Sequence, residues 1–515
     1  MKTVSDDLFR LIKSLSKSEK GYFKKYAAKN ETGSKQNYIL LFDAIDTMSE
    51  YDEELLKKKL KNAAFAKQIP VYKVYLFNLI LRSLSQISVV SDAGAKIKEY
   101  LENTRLLSSK ALYKEALKQL KKAKELAVKY NNYILLLDAL VAERNIITVM
   151  PDKNISDIRK NLYSEQITII NRFRKNLEYS WLSDQMVICV EQKGDFSVEE
   201  RRLEMENILK SPLISNEKNA EDLNMMFYLL HTRLLYFLGK NNLEEVRNIL
   251  GREIDLLEAN RHFVDDNPRN YSNALINYLL FSQITGYREG VLVTISKLNR
   301  LRKKLKNKVP LSLQIQIFFH AANSEILVYR NSADLRRGRN LIKKINEELP
   351  KFGNEIPPQL RIALLSNIAS FLFMDGQYDE ALKMNSKLLD ESGPAFKSDV
   401  FQFSKILNII IHYELNNFDL LEYLVESTYK FFRDKNVMKK MENILFAFFK
   451  KLVRSGPDEH KELFDELHFN LKKLELDDNT YNLLTMFDFI IWAESHASGI
   501  PMPQLIKNNS SKINK

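Results

Sequence analysis

A turn signal recurs along most of this chain at nearly constant spacing, and it is clearest at Gly376-Gln377-Tyr378-Asp379-Glu380-Ala381, between two apolar helical runs. Anchors placed alike are Tyr113, Ile155, Phe196, Leu243, Tyr287, Leu335, Tyr378 and Phe418, most with a small or apolar residue such as Ala381 three further on. Neighbouring anchors stand 40 to 48 residues apart. A chain with that period is expected to fold as helical hairpins in series, each burying its apolar face on its neighbours.

Composition agrees with long helices. The 515 residues include only 14 glycines and 12 prolines, and no run shows the strict apolar/polar alternation of a half-buried strand. The expected fold is all-α: an α-α superhelix, or solenoid, of hairpins over residues 91–435. It is preceded by a helical module over residues 1–90 and followed by a helical cap over 436–497 and a polar, disordered tail over 498–515.

Within the first 90 residues, Ser5-Asp6-Asp7 can cap a helix bearing Leu8, Phe9, Ile12 and Leu15. Ser16 with Glu19 has capping-box spacing for a second helix carrying Tyr22, Phe23 and Tyr26. Tyr38 to Ile45 mark a third, Asp52-Glu53-Glu54 open a fourth, and Tyr72 to Leu84 trace a fifth. Beyond residue 91, asparagine and glycine crowd the turns, as in Gly239-Lys240-Asn241-Asn242 and Leu415-Asn416-Asn417, where the backbone needs positive φ. Pro151, Pro212, Pro268, Pro310, Pro357 and Pro358 fall at joints or first turns, where a missing N–H costs little.

At the Gly376 hairpin, Ala369, Leu372, Gly376-Gln377-Tyr378, Ala381 and Pro394 resemble the tetratricopeptide repeat family. That family uses small residues to let paired helices approach closely and an aromatic to fill the wedge between units. Gly290 and Gly338 keep the small position while Val246 and Leu421 do not, and the period here exceeds the family's 34 residues. The likeness is therefore to the broader tetratricopeptide-like superfamily over roughly residues 95–435. The opening Leu8 to Lys20 also resembles the start of bacterial proteins of this build to which no activity is attached. What the resemblance implies is geometry, with no cofactor and no catalytic residue.

The formal charge is +12, and the first 90 residues carry 16 Lys/Arg against 10 Asp/Glu, so half of it lies there. Lys507, Lys512 and Lys515 add three more at the tail, which leaves the hairpin region nearly balanced. Cys189 is the only cysteine, which excludes an internal disulfide and a thiolate cluster and fits a reducing compartment. With early acids in place of an apolar signal core and no run of about 18 apolar residues, a cytoplasmic location is expected.

No closely spaced glycines form a phosphate-binding loop, and no histidine has a second at i+4 for a helical metal site. His460 and His468, with Glu459, Glu462 and Asp465, come nearest, but an i, i+8 spacing favours a solvated charged face. Cys189 sits in the apolar stretch Met186 to Val190, as an inert buried thiol would. No enzyme is expected.

Binding residues are the remaining candidates. Asn277, Asn323, Asn367 and Asn408 each interrupt the apolar first helix of successive hairpins, ten to twelve residues before the anchor. An amide both donates and accepts, so a row of them can hold an extended peptide backbone whatever its side chains. Arg302, Lys303 and Lys304, with Arg336, Arg337 and Arg339, lie on second helices and could add electrostatic selection of an acidic partner. The reading is a scaffold or adaptor that binds a peptide or protein on the concave face. The alternative is a regulator that binds nucleic acid through Lys57-Lys58-Lys59-Leu60-Lys61 and the Tyr72 to Leu84 helix, with the hairpins as sensor.

Overall fold

The computed structural model describes residues 4–513, apart from 16, 31–34, 64, 89–92, 151–154, 192–197, 288, 306–308, 393–398 and 475–485. The described residues form α-helices joined by short turns and 3-10 segments, with no strand among them. Two compact units divide the chain, Met1–Ala274 and Leu275–Lys515.

The first unit opens with α1 (Val4–Ser14), α2 (Lys17–Asn30), α3 (Lys35–Asp46), α4 (Glu53–Lys59) and α5 (Ile69–Ser88). Leu8, Ile12, Phe23, Phe42, Ile45, Leu56, Leu76 and Ile80 are fully buried and share one core, where Phe23 and Phe42 stack at 4.7 Å. Asp52 caps α4 by accepting from the N–H groups of Glu54 and Leu55. The capping role expected of Ser16 falls outside the described residues.

The unit continues with α6 (Ala93–Ser109), α7 (Tyr113–Lys129), α8 (Tyr133–Val149), α9 (Ile155–Glu191), α10 (Val198–Lys210), α11 (Pro212–Ser215), α12 (Leu223–Gly239), α13 (Leu243–Ala259) and α14 (Arg261–Asp266). The unit boundary falls within α15 (Pro268–Thr285). Here α9 departs from the regular hairpin: its 37 residues contain neither glycine nor proline, so nothing local stops it. Its first half packs Leu162 and Ile169 against Tyr133, Leu136 and Leu140 of α8. Its second half packs Met186 and Cys189 against Ile208 of α10 and against Leu235 and Tyr236 of α12. Phe196, the anchor expected after Ile155, lies outside the described residues.

The second unit holds the end of α15, then α16 (Val291–Leu305), α17 (Leu311–Asn331), α18 (Leu335–Glu348), α19 (Pro358–Met374), α20 (Tyr378–Ser392), α21 (Asp399–Glu414) and α22 (Phe418–Asp434). It closes with α23 (Lys440–Leu452), α24 (His460–Lys472), α25 (Phe489–Ser498) and α26 (Met502–Ile513). The first helices α17, α19 and α21 pack in sequence, and each also packs on its own second helix. The tail expected to be disordered is instead helical as far as Ile513. Met502 and Leu505 are buried in the unit's core with Ile506 packed beside them, and this i, i+3, i+4 face holds the helix down.

One turn geometry repeats. Ala111, Asn131, Asn241, Ala333, Gly376 and Asn416 all have positive φ. The next N–H bonds back to the preceding helix: Asn132 to the Ala127 carbonyl at 2.9 Å, Asn242 to Phe237 at 3.0 Å, Gln377 to Leu372 at 2.9 Å and Asn417 to His412 at 3.0 Å. This left-handed cap satisfies carbonyls that the ending helix leaves open. The following helix then starts on the anchor, as at Tyr113, Leu243, Leu335, Tyr378 and Phe418. Ile155 also opens its helix, whereas Tyr287 precedes α16 by four residues. Tyr133 begins α8 after the same turn, so the signal joins hairpins as well as the helices within them.

The anchors differ in burial: Leu243 is 41% and Phe418 47% exposed, whereas Tyr113, Leu335 and Tyr378 are partly buried and pack on the hydrophobic clusters beside them. The residue three further on is the more consistently buried of the two, because a first-turn residue sits at the corner and its i+3 neighbour faces the partner helix. Ala116, Val246, Ala381 and Leu421 are all buried.

Ala111 is exposed at φ 57, a conformation that costs an L-residue about 1–2 kcal/mol. Ala111→Gly is expected to stabilise the α6–α7 hairpin by about 0.5–1 kcal/mol after the entropy of an unfolded glycine is subtracted. Native-state hydrogen exchange of α6 and α7 amides checks this, and reduced protection would contradict it.

Candidate functional site

The first helices of the second unit each turn one stripe outward. On α15 that stripe holds Asn277, Leu280 and Ile284, with Ile284 67% exposed. On α17 it holds Gln316, His320, Asn323 and Leu327, on α19 Leu360, Ala363 and Asn367, and on α21 Lys405, Asn408 and His412. All four asparagines are half-buried, while most of the side chains around them on α19 and α21 are fully buried.

Two of them meet. Asn367 Nδ2 donates to Asn323 Oδ1 at 2.8 Å, and one hairpin earlier Gln283 Nε2 donates to Ser324 Oγ at 2.7 Å. The asparagine bond uses one donor of Asn367 and the acceptor of Asn323, which leaves each amide further hydrogen-bonding capacity. No hydrogen bond among the described residues joins Asn277 or Asn408 to this pair.

Electrostatically the face is muted. Burial holds the His320 and His412 imidazoles below the ordinary histidine value, which keeps both neutral at pH 7. Burial likewise lowers the Lys405 amine, which lies over the rings of Phe401 and Phe431 at 5.3 and 5.1 Å. This chemistry suits a neutral amide backbone better than a charged ligand.

The basic candidates are largely engaged within the fold. Arg302 pairs with Glu348 at 2.6 Å and lies 4.7 Å from the Phe318 ring centroid. Arg339 makes a bidentate pair with Asp375 at 2.7 and 2.8 Å, and Arg337 reaches Asp334 at 3.1 Å. Lys303, Lys304 and Arg336 are exposed. Sequence placed all six on second helices, but the acids that neutralise three of them come from elsewhere in the chain or from a cap.

A contact that sequence reasoning missed lies at the far end of this stripe. Arg330 stands two turns after Asn323, hence on the same side of α17, and its Nη1 donates to the Met486 backbone carbonyl at 2.5 Å. Burial lowers the guanidinium pKa to about 10, against the favourable charge of Asp488, so it remains protonated at pH 7. Phe487 then meets Phe373 of α19 and Phe403 of α21 at 5.1 and 6.4 Å. Trp492 Nε1 donates to Glu414 at 2.7 Å, and His496 Nε2 lies 2.7 Å from the same carboxylate. The anchor Tyr378 also hydrogen-bonds Glu414, and its hydroxyl pKa is pushed up by burial first and by that carboxylate second. The residues before and within α25 thus tie three successive first helices together. Glu414 and His496 are 82 positions apart, and no local spacing could reveal such a pairing.

Other candidates resolve into structural roles. Cys189 is buried, and desolvation raises its thiol. His460 Nδ1 contacts the Tyr413 hydroxyl at 3.2 Å, while His468 faces Glu494 at 3.8 Å. Among the described residues no three His, Cys, Asp or Glu side chains gather as a metal-ligand group, and no helix is long and apolar enough to cross a membrane. Lys57, Lys58 and Lys59 are exposed on α4, and the open face of α5 carries Val71, Val74, Tyr75 and Leu81 together with Asn78 and Arg82. No family model matches this chain, and no curated protein matches it in sequence.

Proposed function

We propose that this chain is a non-catalytic scaffold of the tetratricopeptide-like superfamily that holds a peptide or protein segment along the outward stripes of α15, α17, α19 and α21. The observation that carries the reading is the 2.8 Å bond between Asn367 and Asn323, which brings amides from successive hairpins onto one face. Arg330 supports it, since the end of the same α17 stripe already grips a backbone carbonyl of the chain's own Met486. Asn277 and Asn408 extend the row at either side, and the exposed Lys303 and Arg336, on second helices away from that row, are open to acidic residues of the partner outside the held segment.

The test begins with proximity labelling in the native cell to name partners, followed by affinity measurement with the purified chain. Each backbone hydrogen bond contributes about 1 kcal/mol. Changing Asn277, Asn323, Asn367 and Asn408 together to Ala is therefore expected to weaken a true partner at least about tenfold, with the helical circular dichroism unchanged. Partners retained at full affinity by the quadruple variant would end this reading.

A further inference from the structure

The long helix α9 has two apolar faces, and only one of them is covered. The covered face, with Leu162, Ile169, Tyr179 and Met186, packs within the first unit. Turned one residue, or about 100°, from it runs a second stripe of Tyr163, Ile167, Ile170, Leu177, Trp181 and Ile188, exposed between 40% and 64%. The steps along this stripe alternate four and three residues, and Arg174 and Asp184 fill its two remaining positions. An unbroken 3.5-residue period is the pattern of a coiled-coil seam. Trp181 is 57% exposed while the chain's other tryptophan, Trp492, is 1% exposed, and an exposed aromatic on such a stripe marks an interface.

We propose that α9 pairs in antiparallel fashion with α9 of a second copy of this chain. Charge chooses both the occupant and the register. In antiparallel packing the two alternating seam positions face each other. One register sets Leu177 against Trp181 of the partner subunit, Ile170 against Ile188 of the partner subunit, and Arg174 against Asp184 of the partner subunit. Two-fold symmetry repeats every pair, so both charged residues find opposite charges and the apolar ones meet apolar ones. A shift by one heptad sets Ile167 against Asp184 of the partner subunit. Parallel pairing sets Arg174 against Arg174 of the partner subunit and Asp184 against Asp184 of the partner subunit, a like-charge seam. Arg174 is 74% exposed and among the described residues has only a 3.5 Å contact to Glu178, so it is open to a partner.

The paired stretch from Ile170 to Ile188 is about 27 Å long at 1.5 Å per residue, which is short for a specific interface. A dimer in the micromolar range is therefore expected. Sedimentation of the full chain between about 1 and 100 μM reads it directly. Arg174→Asp and Asp184→Arg should each weaken association at least tenfold, and the double exchange should restore it. Trp181→Ala should abolish it at every concentration. All three positions are exposed, so the fold is expected to survive, with circular dichroism as the control. A chain that stays monomeric throughout the range would overturn the proposal. So would a dimer indifferent to the charge reversals, a double exchange that restores nothing, or a monomer that instead captures lipid vesicles through Trp181.

Discussion

Replacing Gly338 by Ala is expected to destabilise the second unit by about 3 kcal/mol, near the upper end of what an overpacked core position costs. Gly338 stands three residues after the anchor Leu335, on the face of α18 that meets α19. A Cβ there would lie 2.0 and 2.2 Å from ring atoms of Phe371. Phe371 is itself fully buried, so the ring has no space to yield and the helices must separate. Urea denaturation followed through the tyrosine and tryptophan signals of the second unit measures the loss. Phe371→Leu alone is expected to cost about 1 kcal/mol for reduced packing. Combined with Gly338→Ala it should cost clearly less than the sum, because leucine frees the space the new methyl needs. Strict additivity would show that the clash is absorbed elsewhere.

Gly338 also shows what could be read from sequence and what could not. The turns were legible because their chemistry is local: an ending helix needs a left-handed residue, and Asn131, Asn241, Gly376 and Asn416 supply it within a few residues of the anchor. The small residue three positions on was legible for the same reason. Whether its contact would be a methyl-sized gap, as at the fully buried Ala381, or a phenyl ring, as at Gly338, depends on α19, more than thirty residues away. The same limit applies at the candidate site. Each asparagine could be found one helix at a time, but Asn323 meeting Asn367 depends on the crossing of two helices 44 positions apart. Arg302 resembled a free basic patch because Glu348 is 46 positions distant. The apolar stripe of α9 repeats in the sequence every 3.5 residues, while the expected anchors Ile155 and Phe196 set a hairpin frame across residues that form one helix, Ile155–Glu191. A 3.5-residue period sustained without glycine or proline was the stronger signal.

A contribution to the stability of the first unit that falls as pH rises from 5 to 8 is expected from Glu253. On α13 it occupies a core position among Val246, Ile249, Leu250, Ile254 and Leu257, and it is 1% exposed. Its Oε1 has no hydrogen-bond partner among the described residues. Burial alone pushes its pKa up to about 8 from 4.5, with no neighbouring charge contributing. A carboxyl whose folded pKa is raised favours the fold fully below its unfolded value, and that favour is lost as pH climbs through the folded one. The window therefore runs from about pH 4.5 to 8 and spans on the order of 5 kcal/mol, of which about 3 is gone by pH 7. Glu253→Gln removes the titration, so the variant should lie near the wild type at pH 5 and above it by about 3 kcal/mol at pH 7. Glu253→Met also removes the buried polar group and should be at least as stable at both. Urea midpoints of the first unit at pH 5, 6, 7 and 8 decide the matter. Parallel pH profiles for wild type and Glu253→Gln would mean that the carboxyl finds solvent or a partner in solution. Diverging profiles would mean that this hairpin carries a neutral acid at physiological pH, held so by packing alone.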